Sequence, residues 1–482
     1  MKPIQSGPMA FQWGPFQLSD EDAEAHFLSL GTTGSGKTLI LRLLQQSVLS
    51  YVGQGHGYRG LCYDAKQDMY PILSAYCDSD RIKLLNPFDA RGVAWDIAKD
   101  VNRSSVAMEI AFTLIPEVSD NSPFFRNAAR HSAWGIMCSY MLSGHDWSFA
   151  DLLRGLRDEE VCQRILARHY QTEHLIRMYY RDPKLVNDIF ATIASATMLY
   201  EPIAASWEKS SEKIALSDCM DNEYIVVLGN SEVSRQTIDR LNAVLFKRWT
   251  DLILSQPDGT NKRFWTFVDE LSEAGYLSGL PSFLKKARSK GGRCVVACQS
   301  IEGLRSDKMY GDKVTADFLS CFGNRMFTRL ECAETAEFCS KYIGDQEIVQ
   351  TSETKSGTHS KPQSSVSYSK VVQRTVLPSE FMNIPNCGSA NGLTAMYKMR
   401  STPACWDTIP ADQLFNEWLI PKAPGVEEFV LREAMGEFLE PWSLEQESQF
   451  APPISQSLRD KLKKKPKTDL GQSPPDIQDL DF

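Results

Sequence analysis

Several features that would place a protein in a specialised class are absent from this 482-residue sequence. No window approaches the roughly 18–20 uninterrupted apolar residues of a membrane span, and the first residues lack the apolar core of a secretory signal. We therefore expect a soluble, intracellular protein. The chain also lacks an excess of positive charge, since its net charge is −9. This value argues against a uniformly basic surface that coats nucleic acid, but it is compatible with a local basic channel.

Paired cysteines are also missing. The 12 cysteines are scattered from Cys62 to Cys405 without any C-x-x-C spacing. This pattern favours buried free thiols in a reducing compartment over disulfides or a zinc site.

What the sequence does contain is a series of short apolar runs typical of buried strands. The runs are Phe27–Leu30, Gly60–Asp64, Tyr224–Gly229, Phe264–Glu270 and Arg293–Gln299. Because they alternate with helical stretches, they predict an α/β fold with a largely parallel sheet covered by helices on both faces. Ligands of such sheets bind at the carboxyl ends of the strands, where Asp64, Asp269 and Gln299 fall.

The clearest motif is a glycine loop between the first of these runs and an amphipathic helix. Its residues are Gly31, Thr32, Thr33, Gly34, Ser35, Gly36, Lys37 and Thr38, in the pattern G-x-x-x-x-G-K-[ST]. The glycines allow backbone N–H groups to surround a phosphate at the start of the helix. Lys37 would reach the β- and γ-phosphates of ATP, and the Thr38 hydroxyl would ligate Mg²⁺. The motif therefore predicts a P-loop nucleotide hydrolase.

An acidic pair, Asp269 and Glu270, closes a later apolar run. Beside a phosphate loop this pair predicts a carboxylate that holds Mg²⁺ through water, Asp269, and a general base that polarises the attacking water, Glu270. The alternative for an acidic pair after a strand is a cap on the following helix.

Three further residues are candidates for the same site. Gln299 ends the next run, where it would sense the γ-phosphate or simply face solvent. Arg288 lies in a basic cluster that we expect at the nucleotide-side rim, where it would complete a neighbouring subunit's site or contact DNA phosphate, unless the cluster is only a solvated surface. Asp64 follows the second run and would point toward the phosphates, unless it caps the next helix.

Taken in this order, the motifs resemble the TraD/TrwB branch of the type IV coupling proteins, from about Ala25 to about Arg400. The other segments that carry the resemblance are Tyr63-Asp64-Ala65-Lys66, Leu84-Leu85-Asn86-Pro87-Phe88-Asp89-Ala90-Arg91, Ala287-Arg288-Ser289-Lys290-Gly291-Gly292, Ala297-Cys298-Gln299-Ser300 and Arg374–Phe381. Two departures concern the element after the second run, where Ala65 replaces a usual proline and Gln67 a usual glycine.

The resemblance implies a RecA-like P-loop motor domain with an inserted all-α domain, assembled as a homo-hexamer with ATP at the subunit interfaces. Arg288 then falls at the position of the family's trans-acting arginine, and Gln299 at that of its γ-phosphate-contacting glutamine. The implied activity is DNA-stimulated ATP hydrolysis, which brings a relaxase–DNA complex to a type IV secretion channel at the cytoplasmic face of the inner membrane. Members of the family usually begin with transmembrane helices, so a membrane-anchored partner, a soluble variant and a start further upstream all remain open.

Two other functions stay open. One is a duplex DNA pump of the HerA/FtsK kind, and the other is a nucleotide-gated adaptor that recruits substrates and hydrolyses ATP slowly.

The expected domain organisation combines these observations. It comprises residues 1–100 and 207–425 as the two parts of the nucleotide-binding domain, 101–206 as the all-α insertion, and 426–482 as a C-terminal extension. Residues 351–370 are rich in Ser and Thr and predict a mobile loop. From about Ala451 the composition predicts a disordered tail, with a basic stretch at 459–465 and an acidic end at 476–482.

Overall fold

The predicted apolar strands belong to one nine-stranded sheet in the computed structural model. The structure describes residues 10–117, 123–231, 234–356, 363–432 and 438–456. The strands are β1 (Phe11–Trp13), β2 (Phe16–Leu18), β3 (His26–Leu30), β4 (Tyr58–Tyr63), β5 (Ile82–Leu85), β6 (Ala94–Trp95), β7 (Lys213–Ile214), β8 (Ile225–Leu228), β9 (Arg263–Val268), β10 (Gly292–Cys298), β11 (Phe322–Phe327), β12 (Asp345–Ser356), β13 (Gln363–Arg374), β14 (Leu393–Lys398) and β15 (Cys405–Ile409).

The order of the strands across this sheet is β15-β14-β11-β3-β10-β9-β4-β8-β5. The seven strands from β11 to β5 are parallel, whereas β14 and β15 are antiparallel additions at one edge. The central strands β3, β4 and β10 are buried along their whole length, as expected for a sheet covered on both faces. The predicted α/β class with a mostly parallel sheet is confirmed.

The helices lie between the strands and in a separate helical unit. They are α1 (Lys37–Leu49), α2 (Met69–Leu73), α3 (Ile97–Asp100), α4 (Ser104–Leu114), α5 (Pro123–Ser143), α6 (Phe149–Arg157), α7 (Glu159–Leu166), α8 (Tyr170–Tyr179), α9 (Pro183–Thr197), α10 (Glu201–Trp207), α11 (Asp218–Asp221), α12 (Arg235–Leu254), α13 (Leu280–Lys286), α14 (Glu302–Arg305), α15 (Gly311–Leu319), α16 (Ala333–Ile343), α17 (Pro378–Met382) and α18 (Leu444–Phe450). Helix α1 buries Ile40, Leu43, Leu44 and Val48, which recur every three or four residues along one face of the helix.

The chain divides into two units, and the sheet belongs to residues 10–100 and 202–438. The other unit comprises residues 101–201 and 439–456, so its first segment lies where the all-α insertion was expected. Its long helix α5 packs against helices α4, α6, α7, α8 and α9.

Residues 439–456 also belong to the helical unit. Within it, the Trp442 ring stacks on Phe450 with 5.4 Å between centroids, and the Trp442 indole N–H donates to an Asp151 carboxylate oxygen at 2.6 Å. These contacts therefore hold residues 442–450 in the helical unit, although they belong to the segment 426–482 that was predicted to be a C-terminal extension. Most of the tail predicted from Ala451, including 459–465 and 476–482, lies outside the described residues.

One helical stretch in the described residues, Pro183–Trp207, is long and apolar enough to span a membrane by length and composition alone. Its most apolar 18-residue segment has a mean hydropathy of 1.2, and one third of that segment is buried. Val186, Ile189 and Ile193 of α9 are among the buried residues of this stretch.

The prediction of a mobile loop at 351–370 is wrong for residues 351–356 and 363–370, which belong to two strands, and residues 357–362 lie outside the described residues. Strands β12 and β13 pair antiparallel in continuous register, from Asp345 opposite Arg374 to Ser356 opposite Gln363. Thr351, Tyr368 and Val372 are residue types that favour strands. The many serines in this segment favoured the prediction of a loop, because serine is common in loops.

Candidate nucleotide-binding site

The glycine loop connects the buried strand β3 to helix α1. Gly34 and Gly36 adopt left-handed conformations, with φ of 75° and 99°. Glycine adopts these angles without steric cost, so the backbone can curl over the start of α1. The structure therefore gives the loop the strand–loop–helix setting that phosphate binding requires.

Neighbouring strands fix the loop. The Gly31 N–H donates to the carbonyl of Cys298, the last residue of β10, at 3.3 Å, and the Thr32 N–H donates to the Arg329 carbonyl after β11 at 2.7 Å. The Ser35 and Thr328 hydroxyls lie 2.7 Å apart. A Cβ on Gly31 would be 1.7 Å from the Thr328 hydroxyl oxygen, so this glycine is required by close packing.

Lys37 is buried at the start of α1. Its ammonium donates to the carbonyl oxygens of Gly31 at 2.5 Å and Thr32 at 3.1 Å. Burial lowers the pKa of Lys37, while the nearby carboxylates of Glu270 and Asp269 oppose the shift. The cation is thus held inside the loop, in the position where the motif requires it.

Thr38 and Asp269 meet across the site. The Thr38 hydroxyl lies 2.9 and 3.1 Å from the two Asp269 carboxylate oxygens. Burial raises the pKa of Asp269, opposed mainly by the charge of Lys66. A hydroxyl beside a carboxylate is the set of hard oxygen donors that Mg²⁺ prefers, so these residues fit the ion that the motif predicts.

Glu270 lies next to this pair and is oriented by two side chains. The Ser272 hydroxyl donates to one carboxylate oxygen at 2.6 Å, and the Gln299 amide donates to the other at 3.4 Å. The structure therefore brings Gln299 to Glu270, as two adjacent parallel strands require. The sequence did not single out Ser272, although it lies only two residues from Glu270.

The expectation that Asp64 points toward the phosphates is wrong. Its buried carboxylate accepts the backbone N–H groups of Asp68 and Met69, both at 3.1 Å, at the start of α2. Burial raises the pKa of Asp64 to about 7. The alternative of a capping aspartate is the arrangement that the structure shows.

Lys66, two residues later, does reach the site. Its ammonium lies 3.3 Å from the Thr38 hydroxyl oxygen and 3.9 Å from an Asp269 carboxylate oxygen. The sequence pattern assigns Lys66 no role, because the pairing of β4 with β9 that brings it to Asp269 is a property of the fold. The register of these strands places Tyr63 beside Val268, one residue before Asp269.

Arg288 lies away from these residues, and its predicted position at the nucleotide-side rim is wrong. It precedes the amino end of β10, whereas the glycine loop, Glu270 and Gln299 follow carboxyl ends of parallel strands. The seven residues of β10 separate the two edges by about 20 Å. The Arg288 guanidinium donates to the Glu24 carboxylate at 3.0 Å and is about half exposed.

The Asn86–Arg91 segment has a structural role in the unit that contains the sheet. Buried Asp89 accepts both the backbone N–H and the guanidinium Nε of Arg91 at 2.9 Å. Arg91 also donates to the Glu427 and Glu428 carbonyls, at 2.8 and 3.1 Å. This segment therefore anchors the chain after residue 426 to the sheet unit.

The sequence matches the model of one protein family. The family is described as the type IV secretion-system coupling protein DNA-binding domain, and the match covers residues 12–400. The match thus includes the whole sheet up to β14 and the first segment of the helical unit.

A curated relative is the coupling protein TraD of Escherichia coli (strain K12). The two sequences are 25% identical over 375 residues, which represent 73% of this chain and 48% of TraD. The chain therefore spans about half the length of this relative.

Solved structures of the plasmid coupling protein TrwB are similar in fold. An unbound form has a TM-score of 0.66 at 18% identity, covering 89% of this chain and 92% of that one. A complex with ADP and Mg²⁺ has the same score and identity and covers 94% of the TrwB chain. A complex with the non-hydrolysable analogue ADPNP has a TM-score of 0.67 at 19% identity, covering 89% and 93% of the two chains. The predicted RecA-like motor fold with an inserted helical domain is confirmed.

Proposed function

Because the chain belongs to the family of type IV secretion-system coupling proteins, we propose that it is an ATP-driven, DNA-translocating coupling protein. It would link a relaxase–DNA complex to a type IV secretion channel during conjugation. The observation that carries the proposal is the convergence of Lys37, Thr38, Asp269 and Glu270 at one edge of the sheet, in a chain of this family. TraD and TrwB are coupling proteins by name, which supports the same role.

The nucleotide would bind with its phosphates in the glycine loop. Lys37 would exchange its two carbonyl acceptors for phosphate oxygens, and the backbone N–H groups at the start of α1 would donate to the same phosphates. Thr38 and Asp269 would hold Mg²⁺, which when bound offsets negative charge on the phosphates. The TrwB complexes with ADP and Mg²⁺ and with ADPNP support ATP and Mg²⁺ as the ligands.

Hydrolysis would use Glu270 as the general base. Its carboxylate would accept the proton of the attacking water while the Ser272 hydroxyl and the Gln299 amide keep it in place. Gln299 would also contact the γ-phosphate from the adjacent strand. Thr32, Thr33, Gly34, Ser35 and Gly36 would supply the remaining backbone contacts of the loop.

Arg288 would act on the nucleotide of a neighbouring copy rather than on its own. Its place at the opposite edge of the sheet supports this proposal, because a head-to-tail ring of six would bring that edge to the neighbour's phosphates. Mixing Arg288→Ala with Glu270→Gln would test it. Each variant should be nearly inactive, while a 1:1 mixture should recover about one quarter of the wild-type ATPase rate, since a quarter of random interfaces combine both intact residues. No recovery in mixtures that assemble like the wild type contradicts a shared site.

DNA translocation separates the proposed motor from an adaptor that hydrolyses ATP slowly. We expect the wild type with ATP to displace streptavidin from biotinylated DNA, and expect Glu270→Gln to fail while still binding nucleotide. If the wild type and Glu270→Gln displace streptavidin equally, with or without ATP, the proposed motor function is contradicted. Comparing single-stranded with duplex tracks would distinguish a conjugative coupling protein from a duplex pump of the HerA/FtsK kind.

We also propose that the protein works at the cytoplasmic face of the inner membrane, in contact with secretion-channel proteins and with a membrane-anchored partner. Its membership of the coupling protein family supports this location. Fractionation of cells with and without the channel proteins would test it, and an unchanged distribution contradicts a channel-dependent location.

A further inference from the structure

Lys66 occupies a position that the roles above leave unexplained. Its ammonium faces the Thr38 hydroxyl at 3.3 Å and the Asp269 carboxylate at 3.9 Å. Its side chain is 59% exposed, whereas that of Asp269 is 16% exposed. Lys66 therefore lies on the open side of the Thr38–Asp269 pair, and buried Lys37 lies on the inner side.

The loop that carries Lys66 is fixed on both sides. Before it, the Asn230 amide donates to the Ala65 carbonyl at 3.0 Å. After it, Gln67 adopts a left-handed conformation with φ of 59° and donates through its side chain to the Asn230 carbonyl at 2.6 Å. Asp64 holds the following turn through two backbone N–H groups. These contacts direct Lys66 toward the glycine loop.

The alternative role for Lys66, a surface counter-ion of Asp269, would not require the hydrogen bonds that fix its loop. Exposed ion pairs contribute little to stability and do not require a fixed loop. Gln67 is also the only non-glycine residue with a positive φ among the described residues, a conformation that is costly for a residue with a side chain. Backbone strain of this kind accumulates where a side chain must be aimed at a ligand.

We infer that Lys66 is a second phosphate-binding lysine, which contacts the terminal phosphate of a bound nucleoside triphosphate from outside the Thr38–Asp269 pair. It would thereby distinguish a triphosphate from a diphosphate, whereas Lys37 would contact both. The inference rests on the proposed function only in requiring that the glycine loop binds ATP.

Equilibrium binding separates this role from that of a counter-ion. We would measure the affinity for fluorescent ADP and for a fluorescent, non-hydrolysable ATP analogue, each with Mg²⁺, in the wild type and in Lys66→Gln. A lost charge-assisted hydrogen bond should weaken binding of the ATP analogue by about 10- to 100-fold. ADP binding should change by less than about threefold, because its phosphates remain with Lys37.

Two further variants serve as controls. Lys66→Arg keeps the positive charge and should restore most of the preference for the triphosphate. Lys422→Gln removes a partly exposed lysine that contacts Asp68 at 3.0 Å, near the same loop, and should change neither affinity.

The results also separate this inference from the proposed function. Equal weakening of both nucleotides by Lys66→Gln, or no weakening of either, overturns the role of Lys66 and leaves the proposed function intact. A wild-type protein that binds neither nucleotide overturns both.

Discussion

Thr38 and Asp269 are separated by 231 residues in the sequence, yet the Thr38 hydroxyl lies within hydrogen-bonding distance of both Asp269 carboxylate oxygens, at 2.9 and 3.1 Å. This contact joins the glycine loop after β3 to the acidic pair after β9. Strand β10 lies between those strands in the sheet, so the contact depends on their carboxyl ends sharing one edge. It brings together the oxygen donors proposed to hold Mg²⁺.

The first prediction concerns the charge of this pair. Asp269→Asn keeps an oxygen for the Thr38 hydroxyl but removes the negative charge that would attract the cation. We expect the Mg²⁺ concentration for half-maximal ATP hydrolysis to rise by about tenfold or more, and kcat to fall by about 100-fold. Asp317→Asn is the matched control, because Asp317 is an exposed carboxylate bonded only to Lys285 at 2.9 Å among the described residues. An unchanged Mg²⁺ dependence in Asp269→Asn contradicts the proposed metal site.

The second prediction contrasts two glycines of the loop. Gly31→Ala would place a methyl group 1.7 Å from the Thr328 hydroxyl oxygen, whereas the same change at Gly34 meets no atom within 4 Å. We expect Gly31→Ala to lower the free energy of unfolding by roughly 2–3 kcal/mol. Gly34→Ala should cost only about 1 kcal/mol, from its positive φ. Urea denaturation measures both values.

Removing the Thr328 hydroxyl tests the cause of that difference. Thr328→Ala in the Gly31→Ala background should recover part of the lost stability, because the closest clashing atom is then absent. Equal effects of the two glycine substitutions, or no recovery in the double variant, contradict the packing explanation.

The third prediction concerns the positioning of Glu270, the proposed general base, by Ser272. The Ser272 hydroxyl donates to the Glu270 carboxylate at 2.6 Å and holds it in one orientation. Ser272→Ala removes this hydrogen bond, and we expect kcat to fall about three- to tenfold with little change in KM for ATP. Ser272→Thr keeps the hydroxyl and should restore kcat, and an unchanged kcat in Ser272→Ala argues against this role.

The fourth prediction follows from the buried cap at Asp64. Burial raises the pKa of this carboxyl in the folded protein from 3.8 to about 7. Between pH 3.8 and pH 7 the Asp64 carboxyl is ionised in the unfolded chain but still protonated in the folded protein. The stabilisation from protonated Asp64 is therefore complete below about pH 4, decreases above it, and is lost once the pH has risen through 7. Relative to Asp64→Asn, which does not titrate, the wild type should lose on the order of 1–3 kcal/mol between pH 5 and pH 8.

Chemical denaturation of both proteins across this pH range measures the effect of Asp64. A stability difference that stays constant, or that moves in favour of the wild type as the pH rises, contradicts the assigned protonation of the cap.

The sequence predicted the elements of the site whose signal is local. The glycine loop is a motif of eight consecutive residues and can be found from the sequence alone. Glu270 and Gln299 each follow an apolar run, and parallel strands would place both residues at the same edge of the sheet. Strand β11 was missed because it contains Gly323, Asn324 and Arg325 and is not a continuous apolar run. The contact between Thr328 and the loop was missed with it.

The errors concern residues whose position depends on strand order or direction. Arg288 precedes β10 while Gln299 follows it, and both were expected at one rim although a strand separates them. Asp64 and Lys66 are two residues apart, yet the Lys66 ammonium reaches Thr38 whereas the Asp64 carboxylate accepts the backbone N–H groups at the start of α2. No property of the isolated segment Tyr63–Gln67 shows that Asp64 turns inward to cap α2.

A DNA-driven motor at this site can be tested by the steady-state rate of ATP hydrolysis with and without DNA, in the wild type and in Glu270→Gln. We expect DNA to increase the wild-type rate by about tenfold or more, and Glu270→Gln to lower it by at least about 100-fold while nucleotide binding persists. A wild-type rate that is insensitive to DNA, together with an equal rate in Glu270→Gln, would contradict a DNA-driven motor at this site.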